Sequence, residues 1–148
     1  MPFDLRVDGD DREGTVPHSE IQHRPIQLEW PDDMRTAWQP LKPEFAAACN
    51  GLSIGMPYGE PYVMASVRSA LGDIEDPVLV AEVEAYLDQE REHSRQHKRF
   101  NTLLTAQHPA LKRVEKWLAW TYRFLQRRAG KSFGIAYAAG FEATAFAA

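Results

Sequence analysis

At 148 residues with 44% apolar side chains, the chain is sized for one hydrophobic core, and its formal charge of -4 supplies no positive field for a phosphate backbone, which excludes nucleic acid as a partner. The single cysteine, Cys49, rules out an internal disulfide and suits a reducing compartment, so the expected location is the cytoplasm. No basic start with an apolar run opens the chain, and no stretch reaches the roughly 20 apolar residues of a membrane span.

Residues 1–24 carry Asp8, Asp10, Asp11, Arg12 and Glu13 among few apolar side chains, which predicts a flexible tail. The acidic cluster is not a calcium loop, because Arg12 stands where an oxygen ligand is needed and Glu13 where the loop turns on glycine. From 25 to 43, Pro25, Pro31, Pro40 and Pro43 alternate with Trp30 and Trp38, the pattern of an extended strap across a helical surface. A helical domain is expected over 25–148, with this strap as its first part.

The first helical stretch is expected from near Pro43, broken around Gly55 and Pro57 and resumed from Tyr58 to Leu71. Asp76 as N-cap and Pro77 at the first helical position open a second helix that runs to Leu104. A third, from about Pro109 to Ala129, turns Leu111, Val114, Leu118, Tyr122 and Leu125 inward and stops at Gly130. A fourth begins near Ser132 and is still in phase at Ala148, so the helical pattern reads as interrupted. The fold class is all-α.

At 100 degrees per residue, the second helix aligns Leu79, Val83, Tyr86, Glu90, His93, His97, Phe100 and Leu104 on one stripe. The opposite face already holds Glu84, Asp88, Arg91, Glu92, Arg95, Lys98 and Arg99, so Glu90 and His93 are expected to point inward. A buried unpaired carboxylate costs several kcal/mol, and a metal cation neutralises it directly. The spacing Glu90-x-x-His93 sets a carboxylate and an imidazole one turn apart, as helix bundles do for one ion of a di-iron or di-manganese site. Glu60 shares a stripe with Val63, Met64, Val67 and Leu71, and Glu142 shares one with Ile135, Ala138, Ala139, Ala145 and Phe146.

The candidate metal ligands are therefore Glu60, Glu90, His93 and Glu142. His97, one turn beyond His93, is a further ligand, a hydrogen-bond donor to Glu90 or His93, or a packed core histidine. Arg68 is expected at the surface, Trp117, Trp120 and Tyr122 in core and interface packing, and His18, His23 and His108 in solvated loops.

The segments NGLSIGMPYGEPYVMASVR with Glu60, DPVLVAEVEAYLDQEREHSRQHKRFN with Glu90, His93 and His97, and YAAGFEATAFA with Glu142 resemble a bacterial family of predicted metal-dependent hydrolases in the ferritin-like superfamily. The resemblance runs from about Trp38 to the end. It implies a ferritin-like helical bundle with Glu60, Glu90, His93 and Glu142 as ligands to two metal ions, iron first, with manganese or zinc as the other candidates. Members of the family are longer and carry a second segment of the form E-E-x-E-H, which has no counterpart here. The resemblance thus implies a bundle incomplete at its C-terminus: a truncated and inactive product, a fragment, or a site completed by a second copy in a homo-oligomer.

Three functions compete. A metal-dependent hydrolase acts on a small-molecule substrate through metal-activated water and a carboxylate base such as Glu60 or Glu142. An oxygen-activating di-iron oxygenase or oxidoreductase bridges two irons with the same carboxylates. A non-catalytic metal-binding helical protein uses the face of Ala138, Ala139, Ala145 and Phe146 to bind a partner chain. No serine, cysteine or lysine has a neighbouring base at readable spacing, which argues against covalent catalysis.

Overall fold

The computed structural model describes residues 28–31 and 33–147. The tail expected over 1–24, with its acidic cluster, His18 and His23, lies outside the described residues, as do the side chains of Ala145 and Phe146. Four helices follow the strap: α1 (Pro43–Ala70), α2 (Pro77–Gln107), α3 (Leu111–Arg128) and α4 (Lys131–Ala147), with a 3-10 turn at Leu71–Asp73. No strand occurs among the described residues, and the all-α bundle is consistent with a ferritin-like architecture.

Helix α1 is the hub. It packs most extensively on α2, then on α4 and α3, while α2 and α3 barely meet. Its sequence allows this because two of its stripes turn inward. Ser53, Pro57 and Glu60 recur at helical spacing on one side, and Gly59, Tyr62 and Ser66 on another, and all six are buried. The second stripe admits α3 and α4 closely. A Cβ on Gly59 would lie 3.1 Å from the Tyr122 hydroxyl, and one on Gly134 of α4 would lie 2.7 Å from Ser66 Oγ. Tyr62 packs in that seam at a tilt against Tyr122 and edge-on against Tyr137, whose hydroxyls bond at 2.7 Å.

The break expected around Gly55 and Pro57 does not occur: α1 runs unbroken through Pro57 and Pro61. A proline inside a helix removes one N–H and orphans the carbonyl four residues earlier, at a cost of about 3 kcal/mol. For Pro57 that carbonyl belongs to Ser53, and Asn101 of α2 donates to it through Nδ2 at 2.8 Å. Asn101 is buried, and its amide replaces the missing helical donor.

Helix α2 begins as its sequence dictates, with the Asp76 carboxylate accepting from Val78 N at 2.9 Å and Pro77 in the first turn. It continues past Leu104 to Gln107 and ends at His108, which precedes Pro109 and cannot easily stay helical. Arg68 is exposed and faces Glu84 at 3.9 Å, the surface pairing expected of it. His108 is exposed at the helix end, with Nε2 3.1 Å from Thr36 Oγ1.

Two expectations for the later helices fail. No residue of α3 is fully buried, and Val114, Trp117, Trp120 and Phe124 are exposed, Trp117 by 61%. The apolar stripe of α3 is legible, but no described element covers all of it. On the Glu142 stripe, expected to turn inward, Ala138 is 3% exposed, within the core, but Ile135 and Ala139 are open.

Gly134→Ala should destabilise the fold by about 1–3 kcal/mol, since the new methyl enters a closed seam. Gly140→Ala, one helix with open space at its Cβ, should instead gain about 0.5–1 kcal/mol. Thermal unfolding midpoints moving in opposite directions check both.

Candidate metal centre

Glu60 is 1% exposed, on the α1 face turned to α2. Its Oε1 lies 3.0 Å from His93 Nδ1, yet neither carboxylate oxygen receives a well-aligned hydrogen bond. An anion in that position needs a cation. Glu90, one turn before His93, brings Oε2 to 3.8 Å from the same Nδ1. On its other side, His93 Nε2 stands 2.9 Å from His97 Nε2. Single donor atoms of Glu60, His93 and His97 all lie within 4.8 Å of one another.

The tautomer of His97 follows from its neighbours. Asn101 Nδ2 is committed to the Ser53 carbonyl, so its Oδ1 faces the Ser53 hydroxyl and accepts from it at 2.8 Å. That hydroxyl has spent its proton, so its oxygen accepts from His97 Nδ1–H at 2.7 Å. His97 Nε2 is therefore left with a bare lone pair aimed at His93.

Protonation follows the same geometry. Hydrogen bonding to Glu60, then to Glu90, favours the His93 imidazolium over the effect of burial and pushes its pKa up to about 10. Although the Nδ1–H is not aligned on either Glu60 oxygen, the carboxylate is close enough to hold that proton. Burial, then the charge on His93, moves His97 the other way and keeps it neutral. Without a metal, the second His93 proton lies between the two Nε2 atoms. With it removed, His93 and His97 would each have a ring nitrogen free to hold an ion, and Glu60 would supply the anionic oxygen beside them. A buried carboxylate short of donors beside two convergent imidazoles fits a divalent transition metal.

Residues 22–148 match the model of a family described as predicted metal-dependent hydrolase. The chain belongs to that family. Neither the comparison with curated proteins nor that with solved structures gives a match. Within this hydrolase family member, no described helix is long and apolar enough to cross a membrane.

Of the residues singled out in the sequence, Glu60, His93 and His97 form the tight cluster, and Glu90 stands beside it. Glu142 lies next to the cluster rather than in it. Its Oε1 accepts from the Tyr86 hydroxyl at 2.7 Å. Burial, that hydrogen bond, and the charges of Glu90, Glu142 and Glu60 all raise the Tyr86 pKa, so the phenol stays protonated. Tyr86 is thus the residue that joins Glu142 to the others.

His93 departs from its expected burial, with 55% of its side chain exposed, and Glu92, expected on the wet face, is 14% exposed and holds Arg95 at 2.8 Å. Ser53 and Asn101, not among the candidates read from the sequence, hold His97 by hydrogen bonds. The signal was present: Asn101 continues the stripe of His93 and His97 at steps of four, and Ser53 precedes Glu60 by two turns on the same face.

A raised histidine pKa stabilises the metal-free fold fully below its ordinary value of 6.5, and that contribution is lost as pH rises through about 10. In chelator, wild type should therefore exceed His93→Gln in urea midpoint at about pH 6, and the gap should shrink by about pH 11. An unchanged gap would show that the proton is not held by Glu60.

Proposed function

We propose that this chain is a metal-dependent hydrolase component that binds a divalent metal through Glu60, His93 and His97, with Glu90 and Glu142 as the carboxylates available to a second ion. The observation that carries this reading is the Glu60 carboxylate, 1% exposed, short of hydrogen-bond donors and faced by two imidazoles. Bound there, a divalent metal acidifies water and polarises a carbonyl.

The protein's own groups do the rest. Glu60 supplies the balancing negative charge and stands on the side closed to water. Ser53 and Asn101 hold His97 so that Nε2 and not Nδ1 carries the free lone pair. With a single ion bound, Glu90, 17% exposed and 3.8 Å from His93 Nδ1, is the group free to accept a proton from the attacking water and return it to the departing alcohol or amine. Tyr86 stays protonated and donates to Glu142 Oε1, which fixes that carboxylate.

A second reading has an observation of its own. Three carboxylates act on the single Tyr86 hydroxyl, more negative charge than one ion requires. Two irons would balance it and admit oxygen chemistry. Turnover that needs iron and dioxygen, and fails with zinc under nitrogen, would replace hydrolysis with that activity.

Metal uptake must expel the proton shared by the two imidazoles. Zinc titrated calorimetrically in buffers of different ionisation enthalpy should release close to one proton per ion, with affinity rising about tenfold per pH unit between about pH 6 and 8. Glu60→Gln and His97→Ala should each lose at least about tenfold in zinc affinity. Lys98→Ala, on the exposed face, should lose none. Zinc binding of equal strength in all three variants would overturn the assignment.

A further inference from the structure

Between the strap and the first two helices lies a cavity of about 480 Å³. Its outer wall is Trp30, Met34 and Trp38, and its inner wall includes Cys49 and Phe100. His93 and His97 stand in the same wall, so the cavity opens onto the cluster described above. Its size falls within the roughly 300–1,000 Å³ of small-molecule sites.

The strap packs on the helical core through Trp30 and Met34 and is pinned there by side-chain hydrogen bonds. Trp38 Nε1 donates to Asn50 Oδ1 at 3.0 Å, Asn50 Nδ2 donates to the Thr36 carbonyl at 2.8 Å, and Gln107 Nε2 donates to the Met34 carbonyl at 2.6 Å. Trp30 meets Phe100 at a ring separation of 4.8 Å. These contacts fix both the strap backbone and the indole planes, leaving an open volume with aromatic and thioether walls. Such walls suit flat or flexible apolar groups. Among the described residues no lysine, arginine, aspartate or glutamate lines the cavity, so its described walls offer no charged side chain to pair with a phosphate.

From this arrangement we infer that the cavity receives the apolar acyl part of the substrate, an ester or amide of a large aryl- or alkyl-carboxylic acid, with its carbonyl directed to the His93 and His97 end. The inference rests on the metal-dependent hydrolase reading. In the reaction, the oxygen of water bonds to the acyl carbon, the acyl C–O or C–N bond breaks, and the alcohol or amine leaves with the proton. A free apolar acid is the other product.

Cys49 makes the cavity testable, because it is the chain's single cysteine and lies in the wall. In chelator, 4-phenylbutyramide at saturation should slow alkylation of Cys49 by iodoacetamide at least about tenfold, and acetamide should leave it unchanged. With zinc bound, 4-phenylbutanehydroxamate should bind at least about tenfold more tightly than acetohydroxamate, and Met34→Trp, which fills the cavity from the strap, should erase the difference. Absence of protection, or equal affinity for the two hydroxamates, overturns the inference. Failure of the hydrolase reading is distinguishable: a protein that binds no zinc yet shows protection keeps the apolar cavity and loses the metal chemistry. A protein that binds zinc without protection loses only the cavity.

Discussion

One carboxylate sets the terms for the structure. Glu60 sits on the helix that every other helix packs against, at 1% exposure, and its ionised form is tolerable only with a positive charge beside it. Leaving such a charge unpaired costs several kcal/mol, a large share of a domain's usual stability of roughly 5–15 kcal/mol. His93 meets the requirement as an imidazolium, its Nδ1 3.0 Å away. A divalent metal meets it equally well, and the same two side chains then serve as ligands. Fold stability and metal affinity are therefore two readings of one electrostatic demand.

The demand reaches the backbone through Asn101. Pro57 deprives α1 of a hydrogen bond, and the carbonyl it frees, that of Ser53, is the one Asn101 takes. Because the amide must turn its nitrogen to that carbonyl, its oxygen turns to the Ser53 hydroxyl, and the hydroxyl oxygen in turn takes the His97 Nδ1 proton. A proline in α1 thereby sets which nitrogen of a histidine in α2 is free. The proline is tolerated and the imidazole oriented by one buried side chain, which couples helix continuity to the chemistry of the site.

This coupling also explains what was legible in the sequence. The start of α2 could be read from Asp76 and Pro77, because an N-cap and a first-turn proline act over two or three residues. The inward turn of Glu60 could be read from its apolar stripe. The unbroken course of α1 could not, since the donor that compensates Pro57 lies 48 residues from Ser53 and only the packed helices bring it there. The same holds for α3. Its stripe of Leu111, Leu118 and Leu125 is evident, but periodicity says which residues share a face and not whether a neighbour covers it. Trp117 and Trp120 therefore fell on open surface. The pairing of Glu142 with the Tyr86 hydroxyl likewise depends on how α4 lies against α2, 56 residues apart in sequence.

The cluster is dry on one side and wet on the other. Glu60 faces the core, while more than half of the His93 side chain meets solvent. A fully enclosed site would hold its charge balance rigidly but exchange protons and ions slowly. Here the group that must lose a proton when a cation enters is the exposed one, and the group that supplies the permanent charge is the buried one. The buried carboxylate makes the site attractive to any cation. Selection between a proton and a metal then falls to the second imidazole, because His97, kept neutral by burial and by the charge on His93, offers the metal another bond and the proton only a shared one.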